Sequence, residues 1–206
     1  MLLAIDTSAG TGVAVVDESG RVRAERATDD TMRHAEAIGT LVAQALDESG
    51  VAARDVTGVV AGMGPGPFTG LRVGIAAAHA FAFGAGCRLL PVVSHDAIAL
   101  EWSLAGGDGP LLVVTDARRR ERYWSAYDGL DAHGVPIRAD GPGLAKPDDL
   151  PVPAGERLDA HVVSAAALGT LAARTLGAGL AFAPDEPLYL RSPDVTPSAG
   201  PKRVSA

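Results

Sequence analysis

The chain has 206 residues, 47% of them apolar but only 4% aromatic, and a formal net charge of −7. That length bounds it to one compact domain or two small ones. Its negative charge repels phosphate backbones at long range and argues against nucleic-acid binding by the chain alone.

In chain order, Leu2 to Asp6 reads as a strand, Thr7 to Thr11 as a Ser/Gly/Thr turn, and Gly12 to Asp17 as a second strand alternating around Val13 and Val15. Glu18-Ser19-Gly20 turns the chain into a third strand, Arg21 to Arg26. A helix is expected after the capping cluster Asp29-Asp30-Thr31. Ala35, Ile38, Leu41, Val42, Ala45 and Leu46 recur at helical spacing, and Gly50 stops it. Val56 to Ala61 is a strand, Gly62 to Gly70 a loop, and Thr69 to Ala85 a helix that Thr69 can cap. Arg88 to Val93 and a helix capped by Ser94 complete a first half. The run Gly106 to Pro110 is the best boundary, dividing 1–105 from a smaller 106–206. Beyond it strands are expected at Leu111 to Thr115, Arg122 to Tyr127 and Val135 to Ala139, and a helix at Ser164 to Leu176. Pro142 to Glu156 carries no clear signal. From Ser192 onward three prolines predict an extended end. The fold class is α/β, two related mixed-sheet subdomains with flanking helices, the tail returning to the first.

The single Cys87 permits neither an internal disulfide nor a cysteine zinc site, which fits a reducing cytoplasm. The N-terminal apolar run is short and lacks the basic flank of a signal peptide. The longest apolar stretch, 75–83, is broken by His79 and falls short of the roughly 20 residues of a membrane span. A cytoplasmic chain with no membrane contact is expected.

Three segments carry chemistry. Asp6-Thr7-Ser8 directly follows a strand, and consecutive amides in such a turn can form an anion nest; an Asx-turn holding a hairpin is the commoner outcome. The run Gly62 to Gly70 packs four glycines and two prolines into nine residues at the start of a helix, a potential phosphate cradle. It lacks the Gly-Lys-Ser/Thr ending of a P-loop, so no lysine meets a γ-phosphate. The candidate nucleotide loop is therefore Asp6, Thr7, Ser8, Gly64, Gly66 and Thr69. The helix that follows carries Gly74, Ala76, Ala77, Ala78, Ala80, Ala82 and Gly84. Glycine costs about 1 kcal/mol against alanine in a helix interior, and close approach of another helix is one reason to accept it. The third segment, Asp116 to Arg122 before Tyr123-Trp124, sets four arginines at a hairpin tip. A solvated turn with Arg–carboxylate pairs is the favoured reading over contact with RNA.

Leu3 to Ser8, the run Gly64-Pro65-Gly66-Pro67-Phe68-Thr69-Gly70-Leu71-Arg72-Val73-Gly74, Asp116-Ala117-Arg118 with Tyr123-Trp124, and Pro187 to Arg191 together resemble the TsaB (YeaZ) family. The resemblance implies an actin-like (ASKHA) fold. It also implies a non-catalytic dimerisation subunit in the synthesis of threonylcarbamoyladenosine beside the anticodon of tRNAs reading A-starting codons. The implied partners are the catalytic paralogue TsaD and the ATPase TsaE, with a homodimer when TsaD is absent and tRNA met only through the complex. No catalytic residue, metal or cofactor is expected on this chain, and ATP or ADP belongs to the assembly. The catalytic paralogues bear two metal-binding histidines four residues apart on the first helix; here His34 is followed by Ile38. The interface is expected on His34, Ala35, Ile38, Leu41, Val42, Leu71, Gly74, Ile75, Ala78 and Phe81. Pro67 replaces a serine common in relatives, Arg119 and Arg120 replace a small turn, and Pro142 to Ser164 is short, with a strand missing before the last helix. The alternative function is a small-molecule or carboxylate kinase of the same fold, motivated by Asp6 and the glycine loop.

Overall fold

The structure is a computed structural model that describes residues 1–28, 30 and 33–191. Strands β1 (Leu2–Asp6), β2 (Thr11–Val16), β3 (Val22–Thr28), β4 (Gly58–Gly62) and β5 (Arg88–Val92) form one sheet, ordered β3-β2-β1-β4-β5. The first three strands are an antiparallel meander, with Ile5 opposite Val13, and β4 and β5 continue in parallel. Strands β6 (Leu111–Asp116), β7 (Arg122–Leu130), β8 (Pro136–Ala145) and β9 (Glu156–Asp159) form a second sheet, ordered β8-β7-β6-β9. Here too a meander of three is followed by a strand parallel to its first member. The strand thought to be missing before the last helix is β9, and β8 extends beyond the expected end at Ala139 through Pro142.

β1 is apolar without alternation because helices cover both faces of its sheet. Leu3 and Ile5 enter a core with α1 (His34–Ser49) and α2 (Phe68–Ala85). Leu2 and Ala4 enter a second core with α3 (Ser94–Leu104), α4 (Ala165–Gly177) and the inner face of β6 and β7. α3 and α4 therefore lie between the two sheets. The division at 105/106 separates the sheets but cuts through this core, since α4 packs on β1 and β2. Gly169 makes that possible: a side chain there would strike Val16 and Ala4. Glu25 of β3 reinforces it, its Oε1 accepting from Ser164 Oγ (3.0 Å) and the Ala166 N–H (2.9 Å) at the start of α4.

The helix ends test the capping logic. α1 and α2 stop at Gly50 and Gly86, both left-handed. Ser164 caps α4 by accepting from the Ala167 N–H. Thr69 does not cap α2, whose first residue is Phe68 after Pro67. Ser94 does not cap α3 either, because its hydroxyl is engaged elsewhere. Of the cluster expected to cap α1, Asp29 and Thr31 lie outside the described residues, as does the end from Ser192; Arg33 holds the cap position.

Residues 183–191 cross back over both halves. The Ala183 N–H donates to Pro91 O (3.2 Å) and the Leu188 N–H to Met63 O (2.9 Å). Tyr189 lies against Phe68 with ring centroids 4.7 Å apart, and Arg191 Nη1 donates to Ala117 O (3.1 Å).

Candidate functional site

The Asp6-Thr7-Ser8 turn is closed by the chain itself. The Ser8 N–H (2.8 Å) and Oγ (2.6 Å) donate to Asp6 Oδ1, and Ser94 Oγ donates to Oδ2 (2.5 Å). Ser94 Oγ in turn accepts from the Gly64 N–H (3.0 Å). Burial pushes the Asp6 carboxyl above its ordinary value, and the hydroxyl donors partly oppose that. Thr7 Oγ1 donates to Gly70 O (2.7 Å) and accepts from the Gly74 N–H (3.1 Å).

This arrangement explains the glycines of the run from 62 to 74. A Cβ on Gly62 would collide with Asp6, on Gly66 with Ser8 Cα (2.8 Å), on Gly70 with Thr7 O (2.7 Å), and on Gly74 with Thr7. Glycine recurs because the loop and the first turns of α2 press on the β1–β2 turn. Gly64 has a separate reason, a φ of 92°. The space a phosphate would need beside Asp6, Thr7 and Ser8 is filled by Pro65 and Gly66, both buried. The candidate loop is thus a packed joint, with Thr69 alone exposed at its rim.

Most of the residues expected at the partner interface lie inside the chain. His34, Ile38, Leu41, Leu71, Gly74, Ile75 and Ala78 are buried inside the chain, Val42 and Phe81 are half-buried, and only Ala35 is exposed. The apolar stripe faces the sheet because the sheet offers the larger apolar area. The outer face is different. α2 presents Ala76, Ala80, Phe83 and Gly84, and α1 beside it presents Gly39 and Ala43. Phe83 is 91% exposed. A small-residue surface with one large ring on two adjacent helices lets another helix pair approach closely. The signal was present in the sequence as the alanines between the bulky residues, but spacing alone does not say which stripe turns inward. By length and composition alone α2 could pass for a bilayer span, but Leu71, Ile75, Ala78 and Ala82 pack it onto the sheet.

Two histidines are held by hydroxyls of the chain itself. His34 Nδ1 meets Thr11 Oγ1 (2.7 Å), and burial, with Arg118 nearby, lowers its pKa. His95 is fully buried between Ser125 Oγ (2.8 Å) and Thr115 Oγ1 (2.9 Å), and burial pushes it down to about 3. The Ser125–His95 pair has the spacing of a nucleophile and its base, but neither side chain reaches solvent. Among the described residues no group of three or more His, Cys, Asp or Glu could hold a metal ion.

Comparison with known proteins places this architecture. The family model described as TsaD, tRNA N6-adenosine threonylcarbamoyltransferase, matches residues 22–180. An uncharacterised protein of Mycobacterium tuberculosis is 39% identical over 211 residues, covering 96% of this chain and 95% of that protein. The Bacillus subtilis tRNA threonylcarbamoyladenosine biosynthesis protein TsaB is 32% identical over 162 residues, covering 73% of this chain and 68% of that protein. Escherichia coli TsaB is 30% identical over 147 residues, 71% of this chain and 63% of that protein. YeaZ from Pseudomonas aeruginosa superposes with a TM-score of 0.78 at 26% identity, covering 92% of this chain and 99% of that structure. The two repeated sheets with helices between and outside them, and these matches along most of the length, show that the chain has the actin-like fold and belongs to the TsaB (YeaZ) family.

Proposed function

We propose that this protein is a non-catalytic scaffold of tRNA threonylcarbamoyladenosine synthesis that docks an actin-fold paralogue of the TsaD type through the outer faces of α1 and α2. The observation that carries the reading is the exposed small-residue surface around Phe83, on helices whose inner faces are already committed to the core. The relatives' shared name supplies the pathway. The packed joint at Asp6 supports placing nucleotide in the assembled complex, with TsaE, and not on this chain. It weighs equally against the kinase alternative, because the acid at the end of β1 accepts from two serines and faces no open cleft.

Phe83→Glu tests the docking face. The variant should keep the wild-type melting temperature yet lose co-elution with the TsaD paralogue in gel filtration, and with a second copy of itself when the paralogue is absent. Ala78→Arg is the contrasting variant: it should unfold the chain, since Ala78 is fully buried. Undiminished co-elution of the Phe83 variant would refute this face.

A further inference from the structure

The outer face of α2 has a defined layout. At 3.6 residues per turn, Arg72, Ala76, His79, Ala80 and Phe83 fall within about 100° of one another, and all five are exposed. Phe83 stands at the C-terminal end of this stripe, 91% exposed. Arg72 stands at the other end, about 16 Å away along the helix axis. Its guanidinium carbon lies 4.3 Å from the centroid of the Phe68 ring, and Phe68 is backed in turn by Tyr189 of the returning segment (4.7 Å). Among the described residues Arg72 makes no hydrogen bond or ion pair, and α2 itself contains no Asp or Glu. One face of the guanidinium is occupied by a ring, and the exposed side chain leaves the other open.

This layout is complementary to itself. The midpoint between Arg72 and Phe83 falls half a residue from the midpoint between Ala76 and Ala80. The ring and the cation therefore lie at equal distances from a short stretch where small side chains let another helix come close. When a second α2 crosses the first in the antiparallel direction at Ala76 and Ala80, each Phe83 arrives over the Arg72 of the other copy. An isologous two-fold contact requires this reciprocity, in which residue i meets j and j meets i. The planar, weakly hydrated guanidinium accepts an aromatic ring on each face, so covering it needs no counter-charge from the other copy. His79, close to the axis, is already held by Asp185 (3.1 Å).

We propose that the outer face of α2 pairs with a second copy of this chain, each copy completing a Phe68–Arg72–Phe83 sandwich in the other. The occupant is a second copy because ring and receptor sit on one helix, spaced equally about its middle. Tyr189 is a positioning residue, fixing the ring on which Arg72 rests. The inference shares with the scaffold reading only the premise that this face docks a protein. It goes beyond it in naming the contact, the antiparallel direction and the two-fold axis.

Sedimentation equilibrium of the purified full chain, with no paralogue present, tests the contact directly. Arg72→Ala should weaken self-association about a hundredfold, roughly tenfold for each of two stacks, and Arg72→Lys by less. Phe83→Arg should weaken it at least as much, because it sets like charges against each other at both sites. The deciding variant is Arg72→Phe/Phe83→Arg, which exchanges ring and cation and should recover the dimer to within about tenfold of the wild type. All these positions are exposed, so each variant should keep the wild-type melting temperature. A wild-type chain that stays monomeric at high micromolar concentration would overturn the proposal. So would an exchanged variant no better than Phe83→Arg alone, or a dimer indifferent to Arg72→Ala. Pairing with the TsaD paralogue is read separately by gel filtration, so losing that co-elution alone sinks the scaffold reading and not the two-fold contact.

Discussion

At Asp6, His95 and Ser94 the chemistry is decided by what surrounds the side chain more than by its type. A buried imidazole hydrogen-bonded on both nitrogens to hydroxyls is held neutral, and its pKa near 3 is a statement about stability. The sign follows from the depression. The unfolded chain takes up a proton at the ordinary value of 6.5 and the folded chain does not, so stability is lost as pH falls from about 6.5 towards 3. The full loss is on the order of 5 kcal/mol. Asp6 and Asp96, raised by burial, act in the opposite direction: their contribution is present below the unfolded carboxylate pKa and declines as pH rises through the raised value. Proton NMR of the imidazole ring separates the two. The His95 resonances should not shift between about pH 8 and 5, whereas an ordinary histidine titrates in that range; a midpoint near the ordinary value would contradict the buried, doubly bonded geometry.

At the level of the element, α2 shows how one sequence pattern can be read two ways. Its glycines and alanines fit equally a helix that receives a partner and one that receives its own chain, and both are present on opposite faces. Gly74 meets Thr7, whereas Gly84 has nothing within 4 Å. Gly74→Ala should therefore lower the unfolding free energy by about 2–4 kcal/mol, the range of forced overpacking or loss of the Thr7 hydrogen bonds. Gly84→Ala should raise it by up to about 1 kcal/mol. Chemical denaturation of the two variants checks both signs. Strands, helix stops and the 3.6-residue period were legible beforehand because they depend on neighbours in sequence. The inward stripe of α1 and α2, and the use of the Ser94 hydroxyl as a strut to Asp6 in place of a cap, were not. Each depends on a residue 30 or more positions away, which local spacing does not encode.

Across the whole molecule, the crossing of residues 183–191 joins what the two sheets leave separate. Its backbone bonds to Pro91 and Met63 hold the first sheet, and Arg191 holds the hairpin of the second. Truncation after Phe182 should cost about 2–4 kcal/mol, from a few hydrogen bonds and the Phe68–Tyr189 contact at roughly 1 kcal/mol each. It should also raise hydrogen exchange at Met63 to Gly66 and at the 117–121 turn together. Exchange confined to one of these would show that the segment braces only one half. The repeated strand grammar of the two halves was visible in the sequence, but the placement of α4 against the first sheet was not, since no local pattern in 165–177 names its partner.

α3 and α4, clasped between the sheets, have one more consequence. A protein with a gap between its lobes can answer a ligand by closing; here the gap is occupied by leucine, alanine and valine at the density of a core. The two sheets share one buried core. A partner docked on α1 and α2, as proposed above, would therefore meet a preformed surface and act by occupancy, not by bending the two sheets.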